Sequence, residues 1–593
     1  MTRRPLRPLA HILLARQRGE NPDVIERENI RQRHEVMRDK ARQRAESRLL
    51  VLAAVFLLGF MVVGARMANL ASSVPHEPEL GFSESEIVAQ RSDILDRNGR
   101  ILATNLITNS LYAQPQIMID KERAARELAM IFPELDYAEL VRDFTGPRKF
   151  LWIKRRISPE QQQLVHDIGD PGLLFGPREM RLYPNGRLAA HVLGGAAFGR
   201  EGVHSAEIIG VAGVEKTFDD FLRDPAENGA PLQLSLDLTI QTAAERVLAG
   251  GMKLMNARGA AAVLMDVNTG EVISLVSLPD FDPNTRPALP TGGAAADSPL
   301  FNHAVQGLYE LGSTFKIFTV AQALDQGLVT PDTMVDTRGP LKWGRYSIRD
   351  FHDYGKQLSV NDVIVKSSNI GSARLAMDIG AEAQKTFLGQ LGLLEPTPIE
   401  MVEARGARPL RPSNWSEISA MTISYGHGLS ASPLHLAAAY SSLVNGGHLV
   451  KPTLLHQNGA AQGERVISAE TSAVIRKMLR QVVVEGTATF GDVPGYSVGG
   501  KTGTADKPKP QGGYYEDRVI ATFAAVFPTD RPRFVLVVTL DEPEETSGEE
   551  PRRTAGWTAV PVGAEMIRRM APLLGLRPEI EPSAGDLLKL TSN

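Results

Sequence analysis

The chain has no cysteine in its 593 residues. That excludes disulfides, thiolate-held zinc, iron–sulfur clusters and a thiol nucleophile, and it leaves the redox compartment open. It also has little net charge. Lys and Arg total 65 against 69 Asp and Glu, for a formal −4, so there is no bulk electrostatic drive toward nucleic acid. Long apolar runs are missing with one exception, and a mean hydropathy of −0.14 argues against a many-helix membrane protein. There is no H-E-x-x-H: His34-Glu35 is followed by Val-Met-Arg, and His303 and His352 have no metal-ligand spacing. No metal or other cofactor is therefore expected. No repeat indicates a solenoid. What remains is a globular composition, 43% apolar and 23% charged. The length suits about four domains of ordinary size, or fewer larger ones.

The charge that is present is unevenly placed. Residues 1–48 carry 13 Lys and Arg against 7 Asp and Glu. The one apolar run follows, Leu49–Ala65, 17 residues without a charge. As a helix it reaches roughly 26 Å, a little under a hydrocarbon core of ~30 Å. Arg48 and Arg66 bracket it and can snorkel. A buried core helix, or a signal peptide cut near Ala71-Ser72-Ser73, would show a similar run, but the long basic arm favours a single uncleaved span. Positive residues stay inside, so everything after residue 70 is expected outside, on a protein held in the cytoplasmic membrane by one helix.

Residues 79–225 read as a mixed, polar region. Asn98-Gly99 between Asp96 and Ile101-Leu102-Ala103 is a strand–turn–strand signal, and Ser158-Pro159-Glu160-Gln161 is a helix start. Pro225–Ala230 reads as a linker. From Leu232 the elements become larger and more apolar. Gln233–Leu248 reads as a short strand into a helix, stopped by Gly250 and Gly251. Ala260–Asp266 and Glu271–Leu278 are strands joined by Asn268-Thr269-Gly270, and Asp280–Leu300 is a loop. Val519–Phe527 and Phe534–Leu540 are strand-like and Val560–Ala571 helical, with Thr504–Asp517 and Asp541–Gly556 as polar linkers. Strands at both ends with helices between predict an α+β layer structure closed by its own termini.

Three short motifs could carry chemistry. In Gly312-Ser313-Thr314-Phe315-Lys316, a following helical run would put Ser and Lys one turn apart on one face. A serine hydroxyl needs a neighbouring base, and a lysine becomes one when desolvation or a nearby cation lowers its pKa. In Ser367-Ser368-Asn369, a hydroxyl and an amide can share a rigid corner, though a Ser-rich turn between helices looks the same. Gly499-Gly500-Lys501-Thr502-Gly503-Thr504 with Gly495 formally satisfies a phosphate-loop pattern, but no clear strand precedes it and no helix follows. It reads better as a strand whose small residues admit a substrate backbone, with Lys501 and the hydroxyls meeting a carboxylate. His427, in Tyr425-Gly426-His427-Gly428, reads as structural.

Taken together, S-x-x-K, S-x-N and K-T-G in this order resemble the signature of penicillin-recognising serine acyltransferases. Ser313 precedes Ser367 by 54 positions and Lys501 by 188, similar to the spacing in class B penicillin-binding proteins. Arg91 to Leu102, Arg181-Leu-Tyr-Pro184-Asn-Gly186 to Leu193-Gly194, and Gly213-Val-Glu215 resemble the boxes of that class's N-terminal pedestal. Leu234–Gln241, Asn268-Thr-Gly270, Tyr425–Gly428 and Asn445-Gly-Gly447 resemble transpeptidase-domain landmarks. Tyr309-Glu310-Leu311-Gly312 and the short pedestal resemble the septal, division-specific branch, with Leu311 in place of the Pro common there.

The resemblance implies an α+β penicillin-recognising transpeptidase domain, an antiparallel sheet with helices, preceded by a mixed pedestal and one transmembrane helix. The implied boundaries are a cytoplasmic basic arm at 1–48, a span at 49–66, a periplasmic pedestal at 67–231, a transpeptidase domain at 232–575 and a tail at 576–593. It implies a peptidoglycan D,D-transpeptidase: Ser313 attacks the penultimate D-alanine of a stem peptide and Lys316 takes its proton. Ser367 passes a proton to the leaving amine, and Asn369 orients the substrate. Lys501 acts with Thr502, Gly503 and Thr504 on the terminal carboxylate region, and Ser368 joins the substrate-binding set. The N–H groups of Ser313 and Thr504 would form the oxyanion hole. The implied partners are stem peptides ending in D-Ala-D-Ala, β-lactams, the membrane, a glycan polymerase of the FtsW type and other division proteins. A serine β-lactamase, a β-lactam sensor and an inactive scaffold are the alternatives. None needs this combination of span, pedestal, Ser313 and Lys316.

Overall fold

A computed structural model of the chain describes residues 9–72, 91–201, 206–227, 229–457, 459, 463–509 and 511–579. The start of the basic arm, Ser73, residues 79–90 and the tail beyond 579 lie outside the described residues. The chain forms two compact units, Met1–Ile87 and Val88–Asn593.

The first unit is a short helix, Leu9–Gln17, and a 51-residue helix, Pro22–Ser72. Pro at the first helical position and no later proline let the long helix run uninterrupted through the apolar segment. Arg48–Met67 is long and apolar enough to cross a membrane, with a mean hydropathy of 2.4.

In the second unit, Asn98-Gly99 turns the chain as expected. Gly99 takes φ +79°, and Asp96 accepts the backbone N–H groups of Asn98 and Arg100, both at 2.8 Å. The turn joins strand Ile94–Leu95 to strand Ile101–Ala113. The long strand pairs with Leu173–Leu182 from Thr104↔Leu182 to Ala113↔Leu173, and with Leu151–Ile157 on its other edge. Helices Lys121–Ile131, Tyr137–Thr145 and Pro159–Asp167 cover this sheet around a core that includes Leu111, Leu128, Phe132 and Phe144. The helix at Pro159 carries the expected capping box between Ser158 and Gln161.

The three pedestal boxes, far apart in sequence, meet in one buried ionic knot. Glu215, with no exposed surface, accepts Arg91 Nε at 2.7 Å, Arg181 Nε at 2.7 Å and the Tyr183 hydroxyl at 3.1 Å. Arg91 Nη1 also donates to Asp219 at 2.7 Å. Two arginines and two carboxylates leave no net charge in this interior, the condition under which buried ions are tolerated.

The rest of the unit centres on a five-stranded antiparallel sheet. Its order is Gly499–Pro508, Tyr514–Phe527, Phe534–Asp541, Gly259–Asp266, Val272–Leu278. Strands from the two ends of the region pair directly, from Phe534↔Asp266 to Asp541↔Gly259, which closes the layer as the sequence predicts. The inner strands, Phe534–Asp541 and Gly259–Asp266, are apolar runs buried almost throughout. Pro433–Val444, buried at every position, packs against the sheet.

Two expectations fail here. The helix after Asp237 does not stop at Gly250 and Gly251 but runs to Leu254. A Cβ on Gly251 would lie 2.6 Å from Val562, so this glycine serves close approach of helix Ala559–Leu573 rather than termination. Thr504–Asp517 is not a linker. It contains the end of one strand and the start of the next, paired through Thr504↔Ala521 and Asp506↔Val519. Its charged residues, Asp506, Lys507, Lys509, Glu516 and Asp517, interrupt any apolar alternation, which hides the strand pattern. The Asp541–Gly556 segment has no regular structure but is tied by the Glu545↔Arg552 bridge.

Candidate active site

The three motifs converge between the edge strand Gly499–Pro508 and the helices packed beside it. Ser313 lies in a 3₁₀ turn, Gly312–Phe315, that leads into helix Lys316–Asp325. Gly312 takes φ +56°, and its backbone lies so close to the edge strand that a Cβ would meet the Thr504 carbonyl at 2.7 Å. Behind the turn, the Tyr440 hydroxyl donates to the Thr314 carbonyl at 2.7 Å, and Phe315, Phe318 and Tyr440 pack edge to face. The serine is therefore held on a rigid, apolar base.

Lys316 is 1% exposed. Its Nζ is 2.8 Å from Ser313 Oγ, 2.6 Å from the Ser367 carbonyl oxygen and 3.0 Å from Ser367 Oγ. Burial pushes its pKa well below the ordinary lysine range, and the charge of Lys501 pushes the same way; Asp350 opposes them. A neutral amine has two protons and one lone pair. With its protons directed to the Ser367 carbonyl and hydroxyl, such an amine has its lone pair left for Ser313. Such an arrangement can receive a hydroxyl proton.

Ser367 sits between helices Val360–Val365 and Asn369–Ile379 with φ +63°, an uncommon conformation for a residue with a Cβ. Such a conformation costs about 1–3 kcal/mol. Its carbonyl and hydroxyl both reach Lys316, and the hydroxyl also accepts Lys501 Nζ at 3.0 Å. Lys501 has no exposed surface, and burial lowers its pKa to about 7. Ser313, Lys316, Ser367 and Lys501 thus form one continuous hydrogen-bonded chain.

The remaining predicted residues divide. Ser368 is fully buried and caps the next helix: its hydroxyl accepts Gly371 N–H at 2.9 Å and donates to Asp350 at 2.7 Å. Both bonds commit the Ser368 hydroxyl to the fold, as a helix cap. Asn369 is half-buried, and its side-chain amide donates to the Arg349 carbonyl at 2.9 Å. Thr502 and Thr504, two apart on the edge strand, share a face. Thr504 Oγ1 accepts Ala555 N–H at 2.9 Å, and Thr502 Oγ1 lies 2.6 Å from Thr487 Oγ1. A Cβ on Gly503 would meet the Leu311 carbonyl at 2.1 Å, so glycine there lets the strand and the serine turn close on each other. His427 Nδ1 is buried without a partner, and its ring lies near Tyr425 and Tyr514. No group of three metal-ligating side chains occurs among the described residues.

Sequence reasoning missed two residues of this neighbourhood. Asp350 accepts the Asn369 and Ile370 N–H groups at 2.5 and 3.0 Å and fixes the Ser-Ser-Asn corner, but nothing in its surrounding sequence marks it. Thr487 follows the glycine that ends helix Ala469–Glu485, so the signal it carried was only that of a helix end.

A family model described as the penicillin-binding protein transpeptidase domain matches residues 260–557, and one for the penicillin-binding protein dimerisation domain matches 86–228. The chain is a class B penicillin-binding protein. Among its relatives is the probable peptidoglycan D,D-transpeptidase FtsI of Caulobacter vibrioides, 34% identical over 556 residues and covering 92% of each chain. The probable peptidoglycan D,D-transpeptidase PenA of Neisseria gonorrhoeae is 33% identical over 77% of this chain and 80% of its own. FtsI of Escherichia coli is 27% identical over 84% and 86%. Penicillin-binding protein 3 of Mycobacterium tuberculosis, solved with aztreonam, superposes with a TM-score of 0.62 at 25% identity, over 83% of this chain and 98% of that one. In this penicillin-binding protein the serine, lysine and K-T-G elements of the three motifs share one site.

Proposed function

We propose that this penicillin-binding protein is the septal peptidoglycan D,D-transpeptidase of its host. The observation that carries the reading is the Ser313–Lys316 contact of 2.8 Å inside a pocket that keeps both Lys316 and Lys501 buried. A donor stem peptide lies along the edge strand with its terminal carboxylate at Lys501, Thr502 and Thr504. Ser313 attacks the penultimate D-alanine carbonyl as its proton passes to Lys316. The oxyanion is held by the N–H groups of Ser313 and Thr504. The proton then travels by way of Ser367 to the departing D-alanine amine, and Asn369 orients the peptide. An amine of a second strand resolves the ester and forms the cross-link; water in its place would give a carboxypeptidase product. A β-lactam stops the sequence at the ester.

The helix at residues 49–66 anchors the chain in the cytoplasmic membrane, with the arm at 1–48 inside and residues 67–575 in the periplasm. The pedestal, 67–231, positions the domain at 232–575 and meets an FtsW-type polymerase. The names of the FtsI relatives support the septal assignment. Depletion in the host tests it: long undivided cells are expected, and rounded cells would assign the enzyme to elongation instead.

A further inference from the structure

Two hydroxyls lie on one face of the edge strand, those of Thr502 and Thr504, and each has a neighbour. The Ala555 N–H donates to Thr504 Oγ1 at 2.9 Å. A backbone N–H can only donate, so it occupies an acceptor position on that oxygen and leaves the Thr504 O–H free to donate to a ligand. Thr502 has a hydroxyl in the same relation. Thr502 is 8% exposed, and its Oγ1 lies 2.6 Å from Thr487 Oγ1. That pair admits two hydrogen-bond directions. If Thr502 donates to Thr487, Thr502 turns its oxygen lone pairs toward an incoming carboxylate and repels it. If Thr487 donates, Thr502 is set like Thr504, with its proton aimed outward.

Thr487 is itself placed by the fold. It follows Gly486, where a Cβ would lie 2.7 Å from the Val365 carbonyl, so this turn is pressed against the end of the helix that precedes Ser367. On its other side, the Thr487 carbonyl approaches Gly556 closely, next to the Ala555 that serves Thr504. Thr487 is exposed, so its hydroxyl rotor is free to choose a direction. A carboxylate, which accepts only, makes the choice: it is bound best when Thr487 donates to Thr502 and Thr502 donates to it.

We infer that Thr487 is a positioning residue that sets the hydroxyl of Thr502 to donate to the substrate's terminal carboxylate. The inference rests on the reading above that Thr502 and Thr504 hold that carboxylate. Thr487 touches no substrate atom and acts only through Thr502.

The test compares acylation efficiency (k2/K) for benzylpenicillin and for its methyl ester, which lacks the anionic carboxylate. Thr487→Val removes the hydroxyl at constant shape. It should lower k2/K for benzylpenicillin about fivefold, the size of the lost neutral hydrogen bond that holds Thr502, and leave the ester unchanged. Thr487→Ser should restore the wild-type ratio. Thermal melting of each variant checks folding, and if the valine variant does not fold, Thr487→Ala takes its place. An equal loss on both compounds, or no loss on either, overturns the inference by making Thr487 merely structural or irrelevant. Thr502→Val separates the two levels of argument. If it discriminates between acid and ester while Thr487→Val does not, the carboxylate reading stands and the positioning role fails. If Thr502→Val does not discriminate, the carboxylate reading itself fails, and the inference with it.

Discussion

The proposed base role requires Lys316 to be buried and able to lose its proton, and its neighbours favour both conditions. Desolvation lowers its pKa, Lys501 adds a like charge, and the Ser367 carbonyl gives the neutral amine an acceptor for one of its protons. Lys316→Arg keeps roughly the length but fixes a positive charge that cannot be lost, because a guanidinium is effectively never deprotonated. The expected result is a folded protein whose rate of penicillin labelling falls about 100-fold or more, the scale of general-base catalysis. Near-normal labelling would instead make residue 316 an electrostatic anchor. The same two lysines set the pH profile of k2/K. Activity should fall as pH drops through the lowered pKa of Lys316, since the protonated amine cannot accept the serine proton. It should fall again above about pH 7, where Lys501 gives up the charge that meets the carboxylate. The two groups are close enough to titrate as a pair, so the limbs belong to the pair. A profile flat from pH 5 to 9 would contradict this assignment.

At the level of elements, the site exists because three backbones touch. Gly503 lies against the Leu311 carbonyl, and Gly312 against the Thr504 carbonyl. Gly426 lies against the Gly312 carbonyl, where a Cβ would come within 1.9 Å. Gly426 also has φ +86°, so alanine there is strained as well as crowded. Gly426→Ala should displace the serine turn, lowering both penicillin labelling and the melting temperature, although Gly426 contributes no side chain; unchanged labelling would show that the turn is held by other contacts. These contacts explain what could be read from the sequence and what could not. The Ser313–Lys316 relation follows from helical spacing, and the inner strands Gly259–Asp266 and Phe534–Asp541 announce themselves as apolar runs. The edge strand was harder. Thr504–Asp517 reads as linker because its charged, Pro and Gly residues break the alternation of the two strands it joins, and Gly251 reads as a stop because helix packing is invisible in a single segment. Ser368 and Asn369 illustrate the same limit. Sequence marked the Ser-Ser-Asn corner, but which hydroxyl serves the site depends on Asp350, which lies 18 positions before Ser368 and claims that serine.

For the whole molecule, the buried knot of Arg91, Arg181, Glu215 and Asp219 joins segments that span the pedestal sequence. Removing its central acid leaves the buried Arg181 without a carboxylate partner and Arg91 with Asp219 alone. Glu215→Gln should cost about 3–5 kcal/mol, seen as a clear drop in melting temperature, while the fraction that remains folded still reacts with penicillin. A variant as stable as the parent would show that the knot is not what holds the pedestal together. The proposed reaction turns on one covalent event, formation of an ester between Ser313 and an acyl donor. Its most direct test is to mix the full-length protein with a penicillin, measure the intact mass over time, and map the modified peptide. A single long-lived adduct on Ser313, absent from Ser313→Ala, is the predicted result. An adduct on another residue, an adduct that survives Ser313→Ala, or rapid turnover with no adduct at all would contradict it.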